Sequence, residues 1–284
     1  MPDNVEELRR IAERVAQEAA DLVRTRAGSD VAVADRKSSP VDVVTAVDRE
    51  SEDLLRRRLA ELRPGDGFLG EEGGEEPGTT GVTWVVDPID GTVNFLYGIP
   101  HYAVCVAAVD PAGEALAGAV VDVARGETYS ASRGGGATCD GRPLRVRVER
   151  SPGERLFLTG FQYQQHVRRL QGEAVARLLP HVRDVRRMGS AALELCTVAA
   201  GRADAYVEEG LHLWDRAAAG LVATEAGARL AVLPGAGGMD CVVCAPEETW
   251  SEVLGLVEEC GFLARRRGDG GGWASTGSRD PDDI

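Results

Sequence analysis

Asp87 and Asp90 stand three residues apart in the segment Asp87-Pro88-Ile89-Asp90-Gly91-Thr92, which follows the short, apolar, β-branched run Val82 to Val86. Ionised carboxylates held together at the end of a buried strand repel, and one of them takes up a proton unless a cation is present. Oxygen donors of this kind suit magnesium, a hard ion that keeps several of its waters. Pro88 fixes the backbone between the aspartates, and Gly91 lets the chain approach a ligand closely. Backbone N–H groups at Gly91 and Thr92 can then face an anion such as a phosphate oxygen. The same hexapeptide also reads as a surface turn of the type Asp-Pro-x-Asp-Gly, so taken alone it leaves both readings open.

Further carboxylates flank it at a distance. Gly70-Glu71-Glu72-Gly73 lies upstream, as does Asp48 in the stretch that begins at Lys37, and Trp214-Asp215 lies downstream. Asp48 and Asp215 each stand where a helix starts, so each reads as an N-cap. A carboxylate in that place also offers its outward lone pairs to a metal, beside a helix end that favours anions.

These residues need elements to position them. Val5, Leu8, Ala12, Val15, Ala19, Leu22 and Val23 recur at helical intervals, with Gly28 as the stop. A second helix is predicted from about Asp48 through Leu54, Leu55, Leu59 and Leu62 to Pro64-Gly65. Val82–Val86, Ala103–Val109 and Leu116–Val121 read as strands of an antiparallel sheet, with turns at Asp110–Gly113, Gly134–Gly136 and Asp140-Gly141. Beyond them strands and helices alternate: Leu156–Thr159, a helix through Val167–Leu179, a helix on Ala191–Ala199, the strand Asp204–Val207, and a helix from Asp215 to Gly227. The predicted organisation is an N-terminal α+β half over 1–146, an α/β half over 147–266, and a disordered tail over 267–284, where the chain turns basic, glycine-rich and then acidic.

Composition narrows the function. The 284 residues carry 43% hydrophobic and 27% charged side chains, enough for a sizeable core. A formal charge of −14 provides no basic field for a nucleic-acid partner, whereas a bound divalent cation would invert the sign locally and admit an anion. No run of 18 apolar residues and no signal-like leader is present, so a cytoplasmic protein without membrane contact is expected. The six cysteines stand in apolar surroundings, and Cys241-Val242-Val243-Cys244 lacks the second pair or histidine that a zinc site needs; core packing is the expectation.

Together, Gly70-Glu71-Glu72, Asp87–Thr92, Trp214-Asp215-x-Ala217-Ala218 and Glu225-Ala226-Gly227 resemble the signature of the inositol monophosphatase family. Ser38-Ser39-Pro40-Val41-Asp42-x-Val44-Thr45-x-x-Asp48 and Gly189-Ser190-Ala191-Ala192 extend the resemblance over residues 5–262, in the right order. It implies an α/β (α+β) fold, the layered αβαβα sandwich of inositol monophosphatases and sugar phosphatases. It also implies two or three Mg2+ ions: Glu71, Asp87 and the Ile89 carbonyl on the first, Asp87, Asp90 and Asp215 on the second, and Glu71 near a third. Gly91 and Thr92, beside Asp90, would receive the phosphate, and Gly189, Ser190, Ala191 and Glu208 would meet the alcohol. Glu71 and a Thr92–Asp48 hydrogen bond would orient the attacking water. Lys37 matches a basic position near the metals, His212 reads as structural rather than as the acid, and Val93 replaces a common threonine.

The resemblance implies hydrolysis of a small phosphate monoester, inositol monophosphate first. Histidinol phosphate is the alternative, because Glu208 can pair with an amine as well as with hydroxyls; other sugar phosphates follow. Lithium inhibition and a homodimer are further implications, with Leu156–Phe161 either an interface or core. A non-catalytic regulatory protein on this fold is the remaining alternative.

Overall fold

The computed structural model describes residues 4–27, 33–36, 43–148 and 151–265, the side chains of 33–36 and 43–44 excepted. Helix α1 (Val5–Arg26) starts at Asn4, whose side chain accepts the Glu6 N–H, and buries the predicted stripe of Leu8, Ala12, Val15, Ala19 and Val23. Strands β1 (Val33–Arg36) and β2 (Val43–Thr45) form an antiparallel ribbon. It leads into α2 (Ala46–Leu62), whose N-cap is Thr45, so that Asp48 stands three residues inside the helix rather than at its cap.

A large sheet follows from β3 (Gly67–Gly70), β4 (Gly74–Glu76), β5 (Thr83–Asp90), β6 (Ala103–Val109), β7 (Ala115–Asp122), β8 (Glu127–Ser132), β9 (Gly136–Cys139) and β10 (Arg142–Pro143), with the short helix α3 (Thr92–Leu96) after β5. Its order is β10-β9-β8-β7-β6-β5-β3-β4, antiparallel except for the β3–β5 pair. The second sheet contains β11 (Leu156–Thr159), β12 (Asp184–Arg186), β13 (Ala205–Glu209), β14 (Ala228–Pro234) and β15 (Asp240–Pro246), in the order β12-β11-β13-β15-β14. Helices α4 (Gln165–Leu178), α5 (Ala191–Ala199), α6 (Leu213–Glu225) and α7 (Trp250–Cys260) complete the chain.

The alternation of β6 shows how the layers stack, because successive strand residues face opposite ways. Val104, Val106 and Ala108 pack with α1 and α2. Ala103, Cys105 and Ala107 pack with α5 and α6, which also meet Leu158, Tyr206 and Val242 of the second sheet. Phe157, Val207 and Val243 face the other way, onto α4 and α7. The result is five layers, αβαβα. Small residues bring them close: a Cβ on Gly118 of β7 would lie 2.9 Å from the Ala218 Cα of α6.

Leu156–Thr159 is an inner strand with Phe157 and Leu158 buried, so that stretch is core. All six cysteines are free thiols. Cys241 and Cys244 on β15 point into different cores, since three-residue spacing on a strand reverses the face. Among the described residues no helix is long and apolar enough to cross a membrane. Lys37 and the 267–284 tail lie outside the described residues.

Leu55 is fully buried between α2 and the large sheet. Leu55→Ala should lower the unfolding free energy by about 3 kcal/mol in urea melts; a loss under about 1 kcal/mol would mean that this layer is loosely packed.

Candidate active site

The strand β5 does not end where the apolar run ends. Asp87 pairs with Cys105 and Asp90 with Ala103, so three steps on β5 oppose two on β6. That extra residue is a β-bulge. Without it, side chains three apart would face opposite sides; with it, both aspartates turn to the same place. Pro88, which has no N–H to offer a ladder, occupies the irregular stretch, and its carbonyl accepts the Ser51 hydroxyl at 3.3 Å. Of the two readings left open for this hexapeptide, the surface turn is excluded: it is a buried, bulged strand end, with Asp87 1% exposed.

Gly91 follows at φ +100°, where a Cβ would meet the Gly189 and His101 carbonyl oxygens at 3.1 Å. The chain then enters α3, whose first residue is Thr92. The Thr92 hydroxyl lies 3.0 Å from the Asp48 carboxylate and 3.0 Å from the Ile89 carbonyl. Asp48 is itself 1% exposed, and its other oxygen accepts the Thr45 N–H at 2.9 Å.

Asp215 comes from α6. That helix begins at Leu213, so Asp215 stands inside its first turn, where its carboxylate accepts the His212 N–H at 2.6 Å. One carboxylate oxygen each from Asp87, Asp90 and Asp215 gather within 4.8 Å of one another. Glu71 reaches the same cavity from the β3–β4 turn. Glu52 of α2 underlies that turn: its carboxylate accepts the Glu72 N–H at 2.7 Å, pairs with Arg56 at 2.9 Å, and fills the space a side chain on Gly70 or Gly73 would need.

Such crowding has an electrostatic signature. Burial, then the charges of Glu71, Asp90 and Asp215, hold the Asp87 carboxyl well above its ordinary range. Asp215 is raised likewise, by burial and then by Glu71 and Asp90. Asp90 is pushed up to about 6, chiefly by burial, against three hydrogen bonds that favour its charged form. Those come from the Ser190 hydroxyl at 2.5 Å and the Ala191 and Ala192 N–H groups at 3.2 and 2.7 Å. Burial also raises Asp48. Among the described residues no lysine or arginine forms an ion pair with Asp87, Asp90 or Asp215. Closely set hard oxygen donors of this kind fit a divalent cation such as magnesium.

The cavity above them holds about 460 Å³. Gly189, Ala191, Arg187, Glu208 and the loop at Gln162 to Gln164 also line it. Glu208 is pushed up to about 7 by burial, partly offset by the Tyr206 phenol, which donates to it at 2.7 Å, and by the charge of Arg187. Gly189, Ala191 and Glu208 are thus wall residues. Ser190 is fully buried and caps α5, so its hydroxyl serves Asp90 rather than the wall. His212 stacks on Trp214 with ring centres 4.7 Å apart.

Several supporting side chains escape the sequence reading. The Asn94 amide donates to the His101 and Met188 carbonyls at 2.8 and 2.7 Å, which ties α3 to the Gly189 turn. Glu194, 1% exposed, accepts the Met188 and Gly189 N–H groups at 2.8 and 3.0 Å. An acid on a helix that is buried on nearly all sides, as Glu194 is, was the available signal.

Residues 4–261 match the inositol monophosphatase family. The chain is 50% identical over 264 residues to inositol-1-monophosphatase SuhB of Mycobacterium tuberculosis, an alignment covering 86% of this chain and 91% of that one. A solved structure, Mycobacterium tuberculosis SuhB, superposes with a TM-score of 0.79 at 45% identity, over 92% of this chain and 99% of that one. The Nus factor SuhB of Xylella fastidiosa is 41% identical over 201 residues, covering 70% of this chain and 72% of its own.

The carboxylate cluster predicts an unusual stability profile. A native carboxyl raised from 3.8 to about 6, as at Asp90, binds its proton more tightly than the unfolded chain does. Its stabilising contribution is complete below pH 3.8 and is lost as pH rises through about 6. In EDTA the melting temperature should fall between about pH 5 and 7.5, and magnesium should raise it more at pH 7.5 than at pH 5. Equal increments at the two pH values would contradict the cluster's role.

Proposed function

Because this chain belongs to the inositol monophosphatase family, we propose that it hydrolyses inositol monophosphate to inositol and phosphate with magnesium at the carboxylate cluster. It is a phosphoric monoester hydrolase by that membership. The observation that carries the reading is the gathering of Asp87, Asp90 and Asp215 within 4.8 Å in the lining of a cavity that Glu71 also lines.

On this reading Glu71, Asp87, Asp90, Asp215 and the Ile89 carbonyl hold two or three Mg2+ ions. Bound magnesium supplies Lewis acidity that neutralises phosphate charge and favours ionisation of water and departure of the alkoxide. The protein's own groups do the rest. The Thr92 hydroxyl donates to Asp48, which turns its lone pairs outward, and with Glu71 it aims a water at phosphorus. The N–H groups of Gly91 and Thr92 receive the phosphate oxygens and set the ester for in-line displacement. Ser190 and the first N–H groups of α5 keep Asp90 charged and fixed in rotamer. Gly189, Ala191 and Glu208 face the alcohol, with Glu208 accepting hydrogen bonds from its hydroxyls.

Histidinol phosphate is the alternative to inositol monophosphate as substrate, since a carboxylate backed by Tyr206 also suits an amine. The likeness to a protein named Nus factor supports a regulatory alternative; the full set of carboxylates supports catalysis. The same reading takes 1–146 and 147–266 as two halves of one enzyme, cytoplasmic and homodimeric, acting on a small molecule without nucleic acid.

Phosphate release with magnesium should favour inositol 1-phosphate over histidinol phosphate and fructose 1,6-bisphosphate by more than about tenfold. No turnover of any of them would sink the enzymatic reading. Asp90→Asn should cut turnover by more than about a hundredfold, exceeding the 10–100-fold typical when a group merely supporting a ligand is lost, while its circular dichroism spectrum stays that of the parent. Near-parental activity would remove Asp90 from the ligand set.

A further inference from the structure

Glu208 and Glu209 are neighbours on β13, so their side chains leave opposite faces of the strand. Glu208 takes the Tyr206 phenol on the cavity side. Glu209 is 3% exposed, and its carboxylate accepts from two backbone N–H groups. One oxygen accepts the Gly237 N–H and the other the Met239 N–H, both at 3.0 Å. These amides belong to the turn between β14 and β15, and Met239 lines the cavity. The turn fits its clamp tightly: a Cβ on Gly235 would lie 2.2 Å from the Glu209 carboxyl carbon, and one on Gly237 would lie 2.9 Å from its oxygen.

The Glu209 backbone joins a second tie. Its carbonyl accepts the Gln171 amide at 3.3 Å, while the Gln171 oxygen accepts the Gln162 N–H at 2.9 Å. Gln171 is 4% exposed on α4, and Gln162 lines the cavity and donates to the Gly210 carbonyl at 3.3 Å. Gly210 in turn donates to the Asp240 carbonyl at 2.8 Å. Three loops with no sequence proximity, at 161–164, 209–212 and 235–239, thus meet through one buried carboxylate and one buried amide, and each contributes to the cavity lining.

We propose that Glu209 is a specificity-setting positioning residue: by pinning the β14–β15 turn it makes Met239 a fixed part of the cavity wall that Glu208 also lines, sized for a compact polyol. This rests on the phosphatase reading above, with the ester's alcohol at the Glu208 end. A buried carboxylate with two N–H partners loses both when truncated, leaving two orphaned donors and a loosened turn. The wall then recedes. An ester whose alcohol touches it suffers, whereas one too small or flat to reach it suffers less.

The test compares kcat/KM for inositol 1-phosphate with that for p-nitrophenyl phosphate in parent, Glu209→Ala and Glu209→Gln proteins. Glu209→Ala should lower the inositol 1-phosphate to p-nitrophenyl phosphate ratio about tenfold, through KM. Glu209→Gln, which keeps one acceptor oxygen, should fall between. Hydrogen exchange should speed up at the Gly237 and Met239 amides in Glu209→Ala. A parallel loss on both esters, or an unchanged ratio, would overturn the proposal. Should Glu209→Ala fail to fold, Met239→Ala must itself lower the ratio, and an unchanged ratio there overturns the proposal equally. If the parent hydrolyses p-nitrophenyl phosphate but not inositol 1-phosphate, the substrate assignment fails, and the best small polyol ester takes its place in the same comparison.

Discussion

Carboxylates that repel one another in a buried place are the constraint on which this structure depends. Asp87, Asp90 and Asp215 converge, each raised by burial and by neighbouring acids, and Glu71 presses on all three. No fold would hold them so for stability alone. Each arrives from a different element, and each element is fixed far from the site: β5 by its pairing with β6, α6 by its burial between the two sheets, and the β3–β4 turn by Glu52 and Arg56. Scaffold rigidity works against the repulsion, and a divalent cation turns that repulsion into binding.

Polar groups around the cluster keep it aimed rather than merely crowded. The start of α5 gives Asp90 a hydroxyl and two N–H groups, which holds one rotamer and favours its ionised form. Asn94 and Glu194 fix the turn at Gly189 from two sides. Glu209 repeats the device at the β14–β15 turn. In each case a buried polar side chain satisfies backbone N–H or C=O groups that a loop would otherwise leave unpaired, so that the cavity has ordered loops for walls.

Much of this was legible in the residues. The stripes of α1 and α2, the strands through Ala103–Val109 and Leu156–Thr159, and the helix over Ala191–Ala199 follow from periodicity. What eluded local reading depended on distant partners. Asp87–Asp90 resembles a turn because Pro88 and Gly91 are turn residues, while the bulge exists only against β6. Asp48 and Asp215 mark helix starts correctly, yet Thr45 and His212 occupy the caps. Ser190 was expected to face the alcohol, and its direction is decided by Asp90, a hundred positions away in the chain. Glu209 carries no local signal, because the turn it holds lies some 28 to 30 residues downstream.

Anomalous diffraction at the manganese edge, from crystals grown with Mn2+ and phosphate, tests the account most directly, since manganese shares magnesium's preference for oxygen ligands. The account predicts at least two peaks within ligand reach of Glu71, Asp87, Asp90 and Asp215, with phosphate at the Gly91 and Thr92 N–H groups. Manganese bound only elsewhere, in crystals of protein that is active in solution, would contradict it.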